Sequence, residues 1–435
     1  MLRDLRSSRE ALVGVVYALL FLDNMLLTVV VPIVPDLLQR LEAMADGNSS
    51  RPAADENGRV GALLSSKALV QLVVSPAVGR LGHRVPLLAG CTSLLVASLV
   101  FAFSQQYYSL LAARSLQGVA SACIGVSGMS LVAEQYQEQA ARSRVMGVVL
   151  GSVALGVLVG YPFGGLLYDF VGKMAPFLVI AALAFLNGVV QLLLLDMKSA
   201  REHAVSGMGI TTLLADGMVL AVAGAIWLST SAMAVLEPCL PIWLMDTLRP
   251  QKWQLGMVFI PDSLGYLLGT NCFGGLAYRL GQWKVAVAAM MLVGVSAFSI
   301  PSARAVSQLA VPHFGLGLGI GVVDAALVPL LASLVDCRYG AHYGAVYALQ
   351  QTAVSLAYCL GPLAGGELVR ALGFPWLMRG LGAVTVLYCP LLAAVGRRPQ
   401  GALLGDASAV NYQTAEDGDS GGTAYRRFLG SDTSN

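Results

Sequence analysis

A carboxylate and a carboxamide lie side by side in the first apolar stretch of the chain, at Asp23 and Asn24. No residue of opposite charge lies within one helical turn of Asp23. An ionisable group at the centre of a bilayer costs at least about 2.5–3.5 kcal/mol, and such groups usually serve binding or proton transfer. We therefore predict that Asp23 binds a cation. The alternative is a buried aspartate that only hydrogen-bonds to a neighbouring helix.

Three other ionisable side chains also lie in apolar stretches, at Lys67, Glu237 and Asp324. A proton-coupled carrier needs acids whose proton affinity changes with burial and with bound charge. Lys67 needs a carboxylate partner, and the pair either opens and closes with protonation or is a purely structural ion pair. Glu237 has a second interpretation, because it precedes Pro238 and could satisfy backbone groups that the proline frees.

The composition is that of a membrane protein that crosses the bilayer many times. The chain has 435 residues, of which 56% are hydrophobic and 12% are charged, whereas soluble proteins carry about 25% charged residues. The net charge of +2 gives no reason to expect a nucleic acid partner, and the seven cysteines, without CxxC spacing, are expected to be free thiols. The sequence has no metal cluster, nucleophile–base set or phosphate loop, so we expect neither an enzyme nor a cofactor.

Hydropathy predicts twelve membrane spans, each of about 20 residues or more. They cover 11–38, 59–81, 85–104, 108–135, 145–168, 175–196, 214–246, 254–280, 284–303, 306–335, 342–371 and 374–396. Basic clusters all fall on one side of this threading, which predicts that both termini are cytoplasmic. The loop 42–58 then lies on the opposite side, and it contains a glycosylation sequon at Asn48.

Similar sequences recur six spans apart. The segment Gly160-Tyr-Pro162-Phe-Gly164-Gly in span 5 resembles Gly361-Pro362-Leu-Ala-Gly-Gly in span 11. Repeated halves with Gly/Pro-broken helices are typical of secondary transporters, whose site lies between the halves. We therefore predict an all-α membrane protein with twelve transmembrane helices in two six-helix pseudo-symmetric halves. The predicted parts are 1–196, a linker 197–213, 214–397 and a disordered tail 398–435.

Two short motifs resemble those of the major facilitator superfamily. Arg114-Ser-Leu-Gln117-Gly in span 4 resembles its Arg-x-x-Gln-Gly motif, and the glycines of span 5 with Pro162 resemble its antiporter motif. Glycines permit close helix approach and a hinge, although ordinary tight packing is an alternative. The loop Gly79–Arg84 departs from the superfamily pattern, which has Asp where this chain has His83.

Longer segments resemble the vesicular monoamine transporters over nearly the whole chain. Those segments are 21–35, 66–72, 113–118, 236–243, 252–256, 266–271 and 373–378. The resemblance implies the major facilitator fold and an antiporter that exchanges lumenal protons for a cytosolic cationic amine in secretory or synaptic vesicles. It also implies amine binding at Asp23 and Asn24, proton coupling at Asp324, and substrate contacts at Tyr266 and Tyr358. Aromatic rings suit such a cation through cation–π attraction.

Departures from that family keep other functions open. Gln351 stands where the family has an aspartate, so a coupling acid or a partner for Lys67 is missing. Asp262 stands where the family has a small residue, and it lies four residues before Tyr266 on the same helix face. We hypothesise that Asp262 partly replaces the lost acid, the alternative being an aspartate near lumenal water without a specific role. Thr230 replaces an asparagine, and the family's lumenal disulfide cannot form.

The alternatives are a vesicular acetylcholine transporter, a carrier of another cationic amine such as histamine or a polyamine, and a non-coupled sensor on the same scaffold. The acetylcholine branch carries an acid in span 4, where this chain reads Ile124-Gly-Val-Ser-Gly-Met129, and this favours a monoamine. Expected partners are the amine, protons and membrane lipid. Leu403-Leu404 and Tyr425–Phe428 in the tail are candidate signals for sorting adaptors.

Overall fold

A computed structural model describes residues 9–45, 53–194, 209–248, 254, 257–340 and 342–396. Within these ranges the chain forms twelve long α-helices, which confirms the predicted all-helical fold. They are α1 (Arg9–Ala45), α2 (Ala53–Val78), α3 (Arg84–Phe103), α4 (Tyr107–Gln135), α5 (Gln139–Phe170), α6 (Met174–Leu194), α7 (Gly217–Thr247), α8 (Ile260–Leu280), α9 (Gln282–Ser299), α10 (Ala310–Tyr339), α11 (Tyr343–Leu372) and α12 (Phe374–Gly396). A five-residue helix, Ile210–Leu214, precedes α7, and two 3₁₀ turns, Ile300–Ser302 and Val306–Leu309, connect α9 to α10.

Ten helices of the described part are long and apolar enough to cross a membrane. The eighth helix is not among them, because Asp262 and Asn271 lower its hydropathy. Burial divides the helices into inner and outer ones. The most apolar window is 89% buried in α4 and α10 but only 28% buried in α6. Exposed side chains on the outer helices, such as Phe185, Val295 and Leu387, are apolar, which is typical of helices that face lipid.

The packing of the first six helices repeats in the last six. The pairs α1–α5, α2–α4, α3–α4 and α3–α6 correspond to α7–α11, α8–α10, α9–α10 and α9–α12. Two further pairs, α2–α11 and α5–α8, join the two sets and are themselves related by the same offset. The repeat seen in the sequence therefore corresponds to a repeat of helix contacts.

Glycines allow α5 to approach α1, and α11 to approach α7. A Cβ added at Gly164 would lie 3.0 Å from Val29 Cα, and one added at Gly361 would lie 2.6 Å from Ala234 O. Helices α5 and α11 remain helical through Pro162 and Pro362. These prolines therefore do not break the helices, in contrast to the Gly/Pro-broken helices that the repeat suggested.

Some sequence expectations lie outside the described residues. The sequon at Asn48, the tail signals and most of the linker 197–213 belong to this group. All seven cysteines lie within the described part and are free thiols, as predicted. Asp216 caps α7 by accepting a hydrogen bond from Met218 N at 2.9 Å, and Arg338 of α10 forms an ion pair with it.

Candidate functional site

Asp23 is the centre of a buried polar cluster in the first six helices. Only 4% of its surface is exposed. Lys67 Nζ of α2 lies 3.6 Å from Asp23 Oδ2, and the Ser121 hydroxyl of α4 lies 2.8 and 2.7 Å from Oδ1 and Oδ2. The carboxylate thus holds a cation and a hydroxyl donor, both of which belong to other helices. A bound ammonium group could replace either of them.

Arg114 and Gln117 support this cluster from α4. Arg114 Nη1 donates to Gln117 Oε1 at 2.9 Å, and Gln117 Nε2 donates to the backbone oxygen of Asp23 at 3.3 Å. Both side chains are buried. The Arg-x-x-Gln segment of α4 therefore holds the backbone of α1 at Asp23, the residue before Asn24. The Asn24 amide itself donates to Leu20 O within α1 at 2.8 Å.

Asp324 and Tyr266 form a second buried pair in the last six helices. The Tyr266 hydroxyl of α8 donates to Asp324 Oδ2 of α10 at 2.8 Å, while Asp324 Oδ1 has no hydrogen-bond partner. Close backbone packing holds the two helices together, because a Cβ added at Gly321 would lie 2.6 Å from Tyr266 O. Two residues that the sequence singled out separately are thus brought into direct contact.

Gln351 occupies a position between the two sets of helices. Gln71 Nε2 of α2 donates to Gln351 Oε1 of α11 at 3.3 Å. The Gln351 side chain packs directly against Gly125 of α4, where a Cβ would lie 2.8 Å from its Cδ. Lys67 has a carboxylate partner in Asp23 of α1, although α11 offers Gln351 in place of an acid.

Asp262 lies in the first turn of α8 and is 7% exposed. Its Oδ1 has no hydrogen-bond partner. Asp262 interacts electrostatically with Glu237 of α7 and with Tyr358 of α11. Asp262 is therefore inside the protein among the other acids rather than in open solvent.

The remaining predicted side chains surround the space between the two clusters. Glu237 is partly exposed and interacts electrostatically with Lys67 and Arg114. Tyr358 is also partly exposed, and it interacts with Glu237 and Asp324. Two acids, two bases and a phenol from both sets of helices thus influence one another across this space.

Arg142 joins the two sets of helices at the end where α2 ends and α5 begins. Its guanidinium is 1% exposed, and Nη1 lies 2.7 Å from Asp336 Oδ2 and 3.0 Å from the Tyr343 hydroxyl. Ser333 Oγ accepts from Nη2 at 3.1 Å. We call these four residues the Arg142 cluster. It joins the two sets of helices at this end, because one buried cation bridges α5, α10 and α11.

Further contacts lie at the same end. The Tyr347 hydroxyl of α11 lies 3.2 Å from Met146 Sδ of α5, so Tyr347 is a packing residue. A Cβ added at Gly79 of the α2–α3 loop would lie 2.7 Å from Gly344 O of α11. Nearby, His83 Nε2 lies 2.9 Å from Glu134 Oε2 of α4, so the loop that lacks the superfamily's Asp still has a carboxylate partner.

The Arg142 cluster was missed by the sequence reasoning, which treated Arg142 only as part of a basic cluster. Arg142 and Asp336 are 194 residues apart, and no local pattern links them. The available signal was a set of charged or polar residues at the ends of spans 5, 10 and 11.

Comparisons with known proteins agree with this architecture. The Major Facilitator Superfamily model matches residues 13–235. The crystal structure of the human organic anion transporter MFSD10 (TETRAN) superposes with a TM-score of 0.73 and 19% identity, covering 88% of this chain and 99% of that chain. The chain therefore has the major facilitator fold, and the superfamily whose model it matches is one of transporters, not enzymes.

Proteins with similar sequences indicate which family within the major facilitator superfamily the chain belongs to. The synaptic vesicular amine transporter of Homo sapiens is 40% identical over 455 aligned residues, covering 90% of this chain and 88% of the relative. The chromaffin granule amine transporter of Rattus norvegicus is 38% identical, covering 92% and 90%. The probable vesicular acetylcholine transporter-B of Danio rerio is 40% identical, covering 90% and 80%. The chain belongs to the vesicular amine transporter family of the major facilitator superfamily.

Proposed function

We propose that this protein is a proton-coupled antiporter that loads a cationic monoamine from the cytosol into secretory or synaptic vesicles. The observation that carries the proposal is the buried Asp23 carboxylate, whose partners are Lys67 and Ser121 from two other helices. An ammonium group can take the place of Lys67 at the Asp23 carboxylate, and Lys67, which also interacts electrostatically with Glu237, then has that acid as its counter-charge. The vesicular amine transporters among the relatives support the substrate class.

The described conformation supports an orientation in the membrane. Arg80, Arg142 and Arg279 lie at the end that the Arg142 cluster closes, and the positive-inside rule makes that end cytosolic. Asn24, Glu237, Tyr266 and Tyr358 are partly exposed although this end is closed. We therefore assign this conformation to the lumen-facing state, with both termini in the cytosol.

Transport then follows by alternating access. The six-helix halves 1–196 and 214–397, joined by the linker 197–213, rock relative to one another around spans 5 and 11, whose α5–α8 and α2–α11 contacts join the halves. Gly160 and Gly164 let α5 approach α1, and Gly361 lets α11 approach α7, while Pro162 and Pro362 lie in the same segments. The Arg142 cluster opens when the cytosolic end opens, and amine enters between the Asp23 cluster and the aromatic side chains of α8 and α11.

Proton coupling resides in the acids of the second half. Asp324 and Asp262 each carry a carboxylate oxygen without a hydrogen-bond partner in the lumen-facing state. A proton from the acidic lumen neutralises such a carboxylate and weakens the attraction for a cation nearby, an effect that a low dielectric strengthens. In this scheme Asp262 supplies the acid that Gln351 does not. When the amine leaves, Lys67 forms its ion pair with Asp23 again.

A panel of labelled amines on acidified proteoliposomes tests the proposal. We expect accumulation of at least one primary monoamine that stops when the proton gradient is collapsed. Preferred accumulation of a quaternary choline ester would instead support an acetylcholine carrier, and preferred accumulation of a polyamine would support another amine. No accumulation of any amine, or uptake unaffected by loss of the gradient, would support the sensor alternative.

Cellular location and processing are part of the proposal. Residence in amine-storing vesicles follows from the relatives, whose names place them in synaptic vesicles and chromaffin granules. Glycosylation at Asn48 would report that this loop is lumenal. Binding of sorting adaptors to Leu403-Leu404 in the tail would account for delivery to vesicles, and alanine substitution of both leucines tests it by microscopy.

A further inference from the structure

His313 is a buried histidine that the transport scheme above does not use. It lies in the first turn of α10 and is completely buried. Its Nδ1 lies 3.0 Å from Leu309 O. A carbonyl oxygen can only accept, so Nδ1 carries a proton and Nε2 of the neutral ring is left with a free lone pair. No hydrogen-bond partner occupies that Nε2.

Asp262 presents its own unpartnered atom to the same face of α10. A Cβ added at Gly317 would lie 2.8 Å from Asp262 Oδ1. Gly317 is four residues after His313, and side chains four apart on a helix are neighbours, about 5–6 Å apart between Cβ atoms. The unpaired carboxylate oxygen and the unpaired imidazole nitrogen therefore lie about one helical turn apart along one row of α10.

Packing fixes this arrangement from both sides. The Phe259 ring meets the His313 ring edge-on, with centroids 6.3 Å apart, and Phe259 is one turn before Asp262 on α8. A Cβ added at Gly269 would lie 2.7 Å from Leu318 O, so the two backbones are in contact along the seam. The packed seam holds these two titratable groups close to each other.

The other ionisable groups near Asp262 and His313 lie either on the inner side of Asp262 or away from the His313 end of the seam. Glu237 of α7, Tyr161 of α5 and Tyr358 of α11 interact electrostatically with Asp262, and Tyr266 and Asp324 follow on the inner side. Helix α9 carries one ionisable group, Lys284, which lies at the opposite end of the seam from His313, and Arg304 lies in the exposed α9–α10 connection. Among these described groups, His313 is the base nearest to Asp262 in the α8–α10 seam.

We propose that His313 and Asp262 together bind one transported proton, at the lumenal end of the α8–α10 seam. This rests on the proposed antiport function and deepens it. Lumenal water gives one proton to His313 Nε2, and the imidazolium that forms lies about one helical turn from the Asp262 carboxylate. When the cytosolic end opens, the pair returns that proton to cytosolic water. Only N–H and O–H bonds form and break, so no other reactant is needed.

The pair lies on the path from the lumen to Asp324. Asp262 and Tyr266 share one face of α8 because they are four residues apart, and Tyr266 donates to Asp324. Protonation of His313 changes the net charge of the pair from −1 to 0 and so offsets the negative charge that Asp262 contributes near the amine site. The pair thus adds a proton-binding site between α8 and α10, whereas Gln351 of α11 cannot take up or release a proton.

Proton counting in proteoliposomes tests the pair with the variants Asp262→Asn, His313→Gln and the double variant. Ser263→Ala is the matched control, because Ser263 is buried beside Asp262 and donates only to Phe259 O. Amine exchange at equal pH on both sides is measured first, since it needs folding and amine binding but no net proton movement. Protons moved per amine are then obtained from the pH gradient that just prevents net amine flux.

We expect exchange within about twofold of wild type in the Ser263→Ala control and measurable exchange in the other variants, with one proton fewer per amine in each single variant and in the double variant alike. A wild-type proton count in either single variant, or losses that add in the double variant, would overturn the pairing. If Asp262→Asn does not yield folded protein, Asp262→Ser is measured in its place and judged by the same two outcomes. Wild-type protein that neither exchanges nor accumulates amine would contradict the antiport function instead.

Discussion

Lys67 Nζ lies 3.6 Å from Asp23 Oδ2, and both side chains are at least nine-tenths buried. The pair links α2 to α1 across the centre of the first six helices. Lys67 thus has its carboxylate partner in α1, and Gln351 of α11 contributes no charge. Whatever displaces Lys67 from Asp23 must itself bring a positive charge, because an uncompensated buried carboxylate is costly.

This relationship predicts different outcomes for stability and transport. Lys67→Met leaves Asp23 buried without a cation and should destabilise the fold by about 3–5 kcal/mol. Adding Asp23→Asn removes both charges and should restore most of the melting temperature, while amine transport stays absent. Thermal unfolding in detergent and vesicle uptake measure the two effects. Transport by the double variant at the wild-type rate would mean that the pair is only structural.

The Arg142 cluster predicts how the conformational equilibrium responds to charge removal. Asp336→Asn leaves the guanidinium of Arg142 buried, and the loss should fall near the lower end of about 3–5 kcal/mol because Asp336 is 26% exposed. The cytosolic end should therefore open more often.

Cys337 is already exposed and would be labelled in either state. In protein with Cys337 replaced by serine, a cysteine placed at the buried Ala348, which lies beside Gly79, should be labelled faster in membranes with accessible cytosolic faces. The double variant Arg142→Met/Asp336→Leu, which removes both charges, should recover stability. Unchanged melting temperature and labelling in Asp336→Asn would argue against a closing role for the cluster.

Neighbouring glycines in α5 and α11 offer matched controls for the antiporter motif. Alanine at Gly361 meets Ala234 O at 2.6 Å, and alanine at Gly164 meets Val29 Cα at 3.0 Å, whereas Gly366 and Gly165 have no atom within 4 Å. We expect Gly361→Ala to slow uptake at least several-fold, Gly164→Ala to slow it less, and Gly366→Ala and Gly165→Ala to leave it unchanged. Equal uptake by all four variants would show that close approach at these glycines does not limit transport.

Moving the acid from position 262 in α8 to position 351 in α11 tests whether Asp262 replaces the acid that α11 lacks. Asp262→Asn should lower gradient-driven accumulation, while exchange at equal pH persists. Adding Gln351→Asp should recover part of the accumulation, because it returns an acid to α11 near Lys67 and Gln71. Gln351→Asp alone, in the presence of Asp262, serves as the control for the lost Gln71 contact. Accumulation by Asp262→Asn equal to wild type would remove the basis for the replacement.

The helices were largely predictable because hydropathy and length determine a membrane span almost independently of tertiary packing. The prediction 374–396 matches α12, and 342–371 differs from α11 by one residue at each end. Helix α1 is longer than predicted, Arg9–Ala45 rather than 11–38. Polar residues beyond the apolar core continue the helix there, and hydropathy does not detect such extensions.

The candidate site was predictable as a set of residues but not as a set of contacts. Asp23, Lys67, Asp262 and Asp324 each stood out as an ionisable group in an apolar helix. Their pairing depends on helix rotation and crossing, so the Lys67–Asp23 and Tyr266–Asp324 contacts became visible only in the fold. His313 gave a weaker signal, because a single histidine in an apolar helix is more often a packed core residue.

The most direct test of the account compares wild type with Asp23→Asn in the same acidified proteoliposomes. The measured quantity is the initial rate of uptake of the labelled monoamine that wild type accumulates best, with and without the proton gradient. The account predicts gradient-dependent accumulation by wild type and no accumulation by Asp23→Asn. Because Asp23→Asn leaves the Lys67 charge unpaired, Asp23→Asn/Lys67→Met, which removes both charges, is the folded reference and should not accumulate amine either. Accumulation by Asp23→Asn at the wild-type rate would contradict it.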